Sequence, residues 1–513
     1  MRLRRTRMPW ALLPVLAALV VPHTAAPSTA SLVDRAPRAA AAAITTPNIV
    51  LVTTDDQTLA DLSKMPKTSR FLGERGVSFT NALSPHPLCC PARAEILTGQ
   101  YAQNNGVRSN SGPFGGAQAL VDPDNTLPVW LQQAGYRTAF LGKYLNGYQH
   151  DDPLVAPIGW DSWNGTYRGI YDYDDFTVNR DGVLESHLDE MQADVYAGIT
   201  GDLITEMSGQ QPFFIWQSQL APHSQRQRNR WVPPTSSPRN NGTFAGTPLL
   251  SASSPSYNEA DVSDKPLAIS ALPPITELRE YKLARLYQER LESLQDVDDA
   301  VAQLVADLKE AREYSDTLII FTSDNGYLLG EHRYHGKIFP YEESVRVPLL
   351  MAGARVPAGV VRQQQVTLID VAPTILDAAE ATPGRLSDGR SLLPVARSDA
   401  ASGWNTVLLQ AGPAESVDGG DQPLPDPALA EAEDTNWLYR GVRTARYTYV
   451  RYPGSGEQER YDNSTDPWQL VNVADDPRYA PVVAELRRRT AELSSCAGNC
   501  LREWDPVPGP DVS

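Results

Sequence analysis

Two short apolar runs, far apart in the chain, limit what it can fold into. Asn48-Ile49-Val50-Leu51-Val52 leads into Thr53-Thr54-Asp55-Asp56, and Thr317-Leu318-Ile319-Ile320-Phe321 leads into Thr322-Ser323-Asp324-Asn325-Gly326. Unbroken β-branched runs of this length read as strands buried on both faces, the kind found in parallel sheets covered by helices. Each run ends in carboxylate or amide side chains, at the strand end where open α/β sheets build their sites. Read singly, such a pair is an ordinary turn or cap. Together, oxygen-bearing residues from two segments suggest a hard-cation site for Ca²⁺ or Mg²⁺.

The intervening chain alternates helix and strand patterns. Leu127 to Ala134 reads as a helix and Tyr136 to Leu141 as the strand after it. Pro212 to Trp216 is another core strand. From Leu278 to Glu313 an apolar stripe of Leu286, Leu291, Leu294, Val297, Val301, Leu304 and Leu308 recurs at helical spacing, which marks a core helix. Residues 225–280 are rich in Pro, Ser and Asn with little periodicity, a long surface excursion able to line a cleft. The expected architecture is a large, mostly parallel mixed sheet sandwiched by helices over residues 46–385. A Ser-, Gly- and Asp-rich connection follows over 386–435. A smaller α+β unit over 436–513 has antiparallel strands at Tyr439 to Tyr452 and Gln458 to Asp462, then a helix from Tyr479 to Ser494.

Residues 1–30 read as a secretory signal: Arg2, Arg4, Arg5 and Arg7 precede an apolar stretch from Trp10 to Val21 and the small residues Thr24-Ala25-Ala26. The stretch is too short for a confident membrane span, so an exported protein without stable membrane insertion is expected. Arg4-Arg5 leaves general and twin-arginine export both open. An Ala-rich lead-in, poorly ordered, spans 31–45. Only four cysteines occur, and Cys496 and Cys500 are placed to close a small loop in an oxidising compartment. Asn164, Asn241 and Asn463 begin glycosylation sequons. With 45 Lys+Arg against 62 Asp+Glu the chain carries −17, which argues against nucleic acid as a partner. Any site for an anionic ester must therefore be locally basic.

Cys89-Cys90-Pro91-Ala92-Arg93-Ala94-Glu95-Ile96-Leu97-Thr98-Gly99 puts a reactive side chain at a helix start. Pro91 suits the first turn and Gly99 the C-terminal cap. Unpaired N–H groups and partial positive charge at such an end favour an anionic oxyester, and Arg93, one turn on, adds a guanidinium fork. The plainer alternative is a buried cysteine pair. Vicinal cysteines rarely bridge, and no second pair lies close enough in sequence to complete a zinc site.

This string resembles the type I sulfatase signature, C-x-P-x-R followed by x-x-x-L-T-G, with Ala92 where Ser is usual. The Cys89-Cys90 doublet, Gln100-Tyr101 and Lys143-Tyr144-Leu145-Asn146 look most like the N-acetylglucosamine-6-sulfatase branch. The resemblance implies an alkaline phosphatase/sulfatase-like fold. It implies that Cys89 is converted by a formylglycine-generating enzyme to Cα-formylglycine. Asp55, Asp56, Asp324 and Asn325, with residue 89, are then the ligands of Ca²⁺ or Mg²⁺. Arg93, Lys143, His223 (in Ala221-Pro222-His223) and Lys337 are the implied catalytic and sulfate-binding groups. Many sulfatases carry His where Leu145 stands, and Asn146 is a substitute candidate. His332 and His335 are candidates for shaping the pocket. Tyr461-Asp462, Asp466-Pro467, Asn472 and Ala474 match the family's ending. The implied reaction is hydrolysis of a sulfate monoester, with 6-O-sulfated N-acetylglucosamine as one substrate. An aryl sulfatase or a phosphate or phosphonate monoesterase is the nearest rival, and an inactive exported protein that binds sulfated glycan is the rival from another class.

Overall fold

β1 (Asn48–Thr54) is buried along its whole length. Alternate side chains serve opposite faces: Ile49 and Leu51 join one apolar cluster, Val50 and Val52 another. A run without polar alternation can be accommodated only by such two-sided burial. In the computed structural model, which describes residues 46–149, 154–228, 230–413, 437–498, 500 and 504–511, this strand lies near the middle of an eleven-stranded sheet. The signal and lead-in expected over residues 1–45 lie outside the described residues.

The other strands of that sheet are β2 (Gly76–Leu83), β3 (Arg137–Gly142), β4 (Ser162–Arg168), β5 (Asp175–Arg180), β6 (Val183–Leu188), β7 (Phe213–Ser218), β8 (Thr317–Ser323), β9 (Arg346–Gly353), β10 (Val360–Arg362) and β11 (Val366–Thr367). Their spatial order is β10-β2-β9-β8-β1-β7-β3-β4-β5-β6, with β11 also on β2. The central five, β8, β1, β7, β3 and β4, run parallel. Antiparallel neighbours flank them, β9 on one side and β5 on the other.

Helices cover both faces. Ile96 and Leu97 of α1 (Cys89–Thr98), Leu127 and Trp130 of α2 (Leu127–Gln133) and Ile375 of α5 (Val371–Ala379) pack with Ile49, Leu51 and Phe140. On the other face Ile199 and Leu203 of α3 (Gln192–Met207) and Leu294, Val297, Val301, Leu304 and Leu308 of α4 (Glu277–Glu310) meet Val50, Val52, Ile215 and Ile319, while Leu286 and Leu291 join Tyr327 and Leu329 in a separate apolar cluster. Each such side chain contributes about 1.5–3 kcal/mol. The stripe is core, as its spacing indicates.

A second, four-stranded antiparallel sheet is formed by β12 (Thr406–Ala411), β13 (Tyr439–Thr444), β14 (Tyr447–Arg451) and β15 (Gln458–Asp462), and α6 (Ala480–Ser494) shares its apolar cluster. This corrects the expected connection over 386–435. Its edge strand β12 lies inside that stretch, paired with β13 through every residue from Thr406 to Ala411. Much of the remaining stretch, 414–436, is outside the described residues. Cys496 and Cys500 form a disulfide, and Gly498 N–H donates to Asp388 Oδ1 at 2.7 Å while Tyr101 N–H donates to Oδ2 at 2.8 Å. Asn164 is buried within β4, so that sequon cannot carry a glycan in the folded protein, whereas Asn241 is exposed. No helix among the described residues is long and apolar enough to cross a membrane.

Candidate active site

Four adjacent strands, β8, β1, β7 and β3, deliver their following residues to one edge of the sheet, the position a parallel sheet offers for a site. Asp324 and Asn325 follow β8, Asp55 and Asp56 follow β1, His223 lies beyond β7, and Lys143 follows β3. Backbone hydrogen bonds run on past the strand ends and hold these loops together: Asp324 N–H to Thr54 O at 3.2 Å, Asp55 N–H to Ala221 O at 3.2 Å, Lys143 N–H to Ser218 O at 3.1 Å. Above them α1 starts at Cys89, with no side-chain cap, and ends at Gly99 with φ 65°. That left-handed value is one glycine adopts without strain.

Cys89 is fully buried, its Sγ 3.4 Å from Asp55 Oδ1 and 2.9 Å from Lys337 Nζ. Arg93 reaches back as its position one turn later requires. Its Nε donates to Asp324 Oδ2 at 3.0 Å, Nη2 to Asp55 Oδ2 at 3.0 Å, and Nη1 to the Lys143 carbonyl and Ser218 Oγ, both at 2.5 Å. Lys143 Nζ donates to Asp55 Oδ2 and Lys337 Nζ to Asp56 Oδ1, each at 2.5 Å. Three carboxylates thus face three fixed cations, all six side chains buried. His223 donates from Nδ1 to the Ser224 carbonyl at 2.6 Å, which turns Nε2 toward Asp56 Oδ2, 3.8 Å away.

Burial opposes ionisation of Asp55, yet Lys143, His223, Arg93 and Lys337 hold its carboxyl far below the usual range. Burial, helped by Asp55, pushes Asp324 up to about 6 against the pull of Arg93. Burial and then Asp55 push the Cys89 thiol well up, so as a free cysteine it is a protonated, weak nucleophile. Burial lowers His223 to about 4, with Asp55 and Asp56 acting in the opposite sense.

The arrangement fits a divalent cation. Buried Asp56 Oδ2, Asn325 Oδ1 and His223 Nε2 have no hydrogen-bond partner, an expensive state for polar atoms unless something binds them. Donor atoms of Asp55, Asp56, Cys89 and His223 lie within 4.8 Å of one another. Asp324 accepts from Arg93 and from the backbone N–H groups of Asp56 (3.1 Å) and Asn325 (2.9 Å), leaving each carboxylate oxygen further lone pairs. Asn325 Nδ2 donates to Asp56 Oδ1 at 2.7 Å, which fixes its Oδ1 as the open atom.

Asp55, Asp56, Cys89, Arg93, Lys143, His223, Asp324, Asn325 and Lys337 therefore come together. The expectations for Asn146 and His332 do not hold. Asn146 sits on the loop after Lys143, its carbonyl accepting from Ala117 N–H, and no described contact brings its amide to the cluster. His332 is a buried structural residue, its Nδ1 2.7 Å from Glu259 Oε2 and its ring stacked on Tyr341 at 4.0 Å. His335 is half-buried with its Nδ1 3.4 Å from Arg279 Nη2.

Sequence reasoning missed Arg290. It is buried on α4, donates from Nη2 to the Asp56 carbonyl at 2.5 Å and from Nη1 to the Pro222 carbonyl at 3.3 Å, and lies over the Tyr327 ring. It thereby braces Asp56, a non-glycine residue at φ 72°, a conformation that costs about 1–3 kcal/mol. A charged residue set within the apolar stripe of α4 is the signal that was available. Tyr171 and Trp231 were also missed: Tyr171 lies under Lys143 Nζ (4.6 Å) and against His223 (5.0 Å), and Trp231 packs on both Tyr171 and His223. No local pattern announces either.

Comparison with known proteins agrees with this geometry. The sulfatase family model matches residues 47–381. An N-acetylglucosamine-6-sulfatase of Capra hircus is 32% identical over 488 residues, covering 89% of this chain and 85% of that one. An extracellular sulfatase Sulf-1 homolog of Caenorhabditis elegans is 33% identical over 389 residues, 71% of this chain, and the match spans only 52% of the longer nematode protein. Among solved structures, one in complex with its substrate D-glucosamine-2-N,6-O-disulfate superposes with a TM-score of 0.71 at 24% identity, over 87% of this chain and 97% of that one, a likeness of fold. The match of the family model over most of the chain, on the segment that carries the buried Cys89 and its charged surroundings, makes this chain a member of the sulfatase family.

Proposed function

We propose that the protein hydrolyses a sulfate monoester on a sugar, 6-O-sulfated N-acetylglucosamine being the reference substrate, through Cα-formylglycine at position 89 and a divalent cation. One observation carries the reading: residue 89 opens a helix within 2.9 Å of Lys337 Nζ, beside unpartnered buried oxygens of Asp56 and Asn325. The named activity of the Capra hircus relative supports the choice of sugar and position.

The raised thiol of Cys89 explains why an unmodified cysteine would serve poorly. Hydrated formylglycine supplies two hydroxyls on one carbon, one to displace the sugar oxygen at sulfur and the other to let sulfate go. Asp55, Asp56, Asp324, Asn325 and residue 89 would hold Ca²⁺ or Mg²⁺, which draws charge off the reacting oxygens. The chain's own residues do the rest. Arg93 orients Asp55 and Asp324, and Lys143 and Lys337 bring positive charge to the sulfate oxygens. Three carboxylates balance these three cations, so a bound divalent ion leaves the pocket net positive, suited to an anion in a chain of −17. His223 presents Nε2 because Nδ1 is tied to Ser224. An arriving anion favours its protonated form, which then gives a proton to the departing sugar oxygen.

Mass spectrometry of the peptide containing residue 89, from natively produced protein, tests the modification, and an unmodified thiol in active protein would sink it. Sulfate release from 6-O-sulfated glucosamines and aryl sulfates, set beside phosphate release from the same aryl group, separates this reading from a phosphate or phosphonate monoesterase. Binding of sulfated sugar without turnover would leave the inactive glycan-binding protein.

A further inference from the structure

Next to the catalytic pocket is a second concavity of about 500 Å³, within the size range of small-molecule sites. Its near end is lined by residues that touch or neighbour the catalytic groups. Ser224 holds His223 by its carbonyl, Trp231 lies 5.6 Å from the His223 ring, and His335 stands two residues ahead of Lys337. Its far wall is one face of the first turns of α4, where Arg279, Lys282, Leu283 and Leu286 recur at helical spacing. Tyr281, 64% exposed, and Trp231 add aromatic surface of the kind that suits an amphipathic ring.

The charges in this cleft are unbalanced. Arg285 is paired with Glu289, the one carboxylate among the lining residues. Among the described residues no carboxylate pairs with Arg279 or Lys282. Arg279 is half-buried, and its Nη2 donates to the Arg333 carbonyl at 3.0 Å and stands 3.4 Å from His335 Nδ1. Burial lowers its guanidinium from the ordinary value, with only Tyr257 acting the other way. A partly desolvated cation without a counter-ion gains most from an anion that arrives with a ligand. The chain as a whole carries −17, so this local excess runs against the average of its surface. The hairpin of Gln225–Gln227 and Arg230–Val232, which directly follows Ser224 and supplies the lining residues Trp231 and Val232, also carries the exposed Arg226 and Arg230.

We propose that this cleft is a subsite for a second anionic group of the same substrate, a carboxylate or sulfate on the glycan that carries the cleaved ester, held by Arg279 and Lys282. The enzyme then prefers multiply charged glycans over singly sulfated sugars. This rests on reading the catalytic pocket as that of a sulfate-ester hydrolase.

The test measures binding to Cys89→Ala protein by calorimetry, with three ligands: a 6-O-sulfated glucosamine, the same sugar carrying a second sulfate, and a disaccharide that adds a uronic acid carboxylate. The expected result is binding of at least one doubly charged ligand about tenfold tighter than the singly charged one. The Arg279→Ala/Lys282→Ala variant is expected to lose that advantage while the singly charged ligand stays within about twofold. The single variant Lys282→Glu, at an exposed helix position, is expected to weaken the doubly charged ligands alone. The preference should also shrink with added salt. Which ligand gains identifies sulfate or carboxylate as the group. Equal affinity for all three ligands, or an equal loss for all in the variants, overturns the subsite. Sulfate release by the unsubstituted protein is followed in parallel: absent turnover with the preference intact overturns the hydrolase reading and leaves the subsite standing.

Discussion

Glu459 and Asp56 are both carboxylates sealed inside the fold, but only Glu459 has every oxygen in use. Glu459 Oε1 accepts from Tyr341 (2.8 Å) and Tyr461 (2.6 Å), and Oε2 from Tyr452 at 2.6 Å. Asp56 Oδ1 accepts from Lys337 and Asn325, while its Oδ2, with Asn325 Oδ1 and His223 Nε2, has no partner. A completed buried network fixes one arrangement of the chain and asks for nothing more. An incomplete one, with open atoms pointed at a common place, is unfavourable until a ligand arrives. Burial and charge alone do not distinguish a site from a scaffold; here three open atoms, on Asp56, Asn325 and His223, gathered beside Cys89 and its cations do.

The comparison can be broken most sharply at residue 89. Cys89→Ala is expected to lower sulfate release by at least about 10³-fold with a nearly unchanged unfolding midpoint, since the alteration removes a reacting group and few contacts. An equally large loss of midpoint would mean the pocket is scaffold after all. Next, treatment with a chelator should abolish turnover and lower the midpoint. Readdition of Ca²⁺ or Mg²⁺ at about 100 times its dissociation constant should return about 2.7 kcal/mol, measured by denaturant unfolding, and should return none of it in Asp56→Ala.

At the completed network the effects reverse. Glu459→Leu leaves three tyrosine hydroxyls without an acceptor and is expected to cost about 3 kcal/mol or more in unfolding free energy, with turnover per folded molecule unchanged. Burial holds the Glu459 carboxyl above its ordinary value, although Tyr452, Tyr461 and Tyr341 each oppose it. Below the unfolded value both states carry the proton, and between the two values only the folded state does. Its contribution to stability therefore falls as pH climbs through that window, and Glu459→Gln should flatten the fall. Smallest of all, Arg446→Ala removes an ion pair with Asp462 in which the arginine is 44% exposed, and less than about 1 kcal/mol should be lost.

What was legible in the sequence follows from how local the cause is. The runs ending at Asp55-Asp56 and Asp324-Asn325 declared buried strands because an unbroken apolar run has few other fates. The Cys89 to Gly99 string declared a helix through its own cap. β12 was absorbed into a connection because its neighbours are turn-forming residues, and only its pairing with β13 makes it a strand. The cation-compatible gap between Asp56, Asn325 and His223 could be suspected from strand ends, while its charge pairing with Arg93, Lys143 and Lys337 depends on loops brought together across the sheet. Arg290 and Trp231 were invisible because their role lies in what they touch, from residues 56 and 222 in one case and 171 and 223 in the other.

The parallel centre of the sheet also sets a clock. Arg93 and Asp324 are 231 residues apart in the chain, and β8, which brings Asp324 to the pocket, inserts between β1 and β9. At the usual pace of synthesis, about 5–20 residues per second, roughly ten to fifty seconds pass between the emergence of one and the other. Until then the wall that closes over Cys89 does not exist, and afterwards its side chain is fully enclosed. Any enzyme that rewrites residue 89 has that interval on the nascent chain in which to reach it.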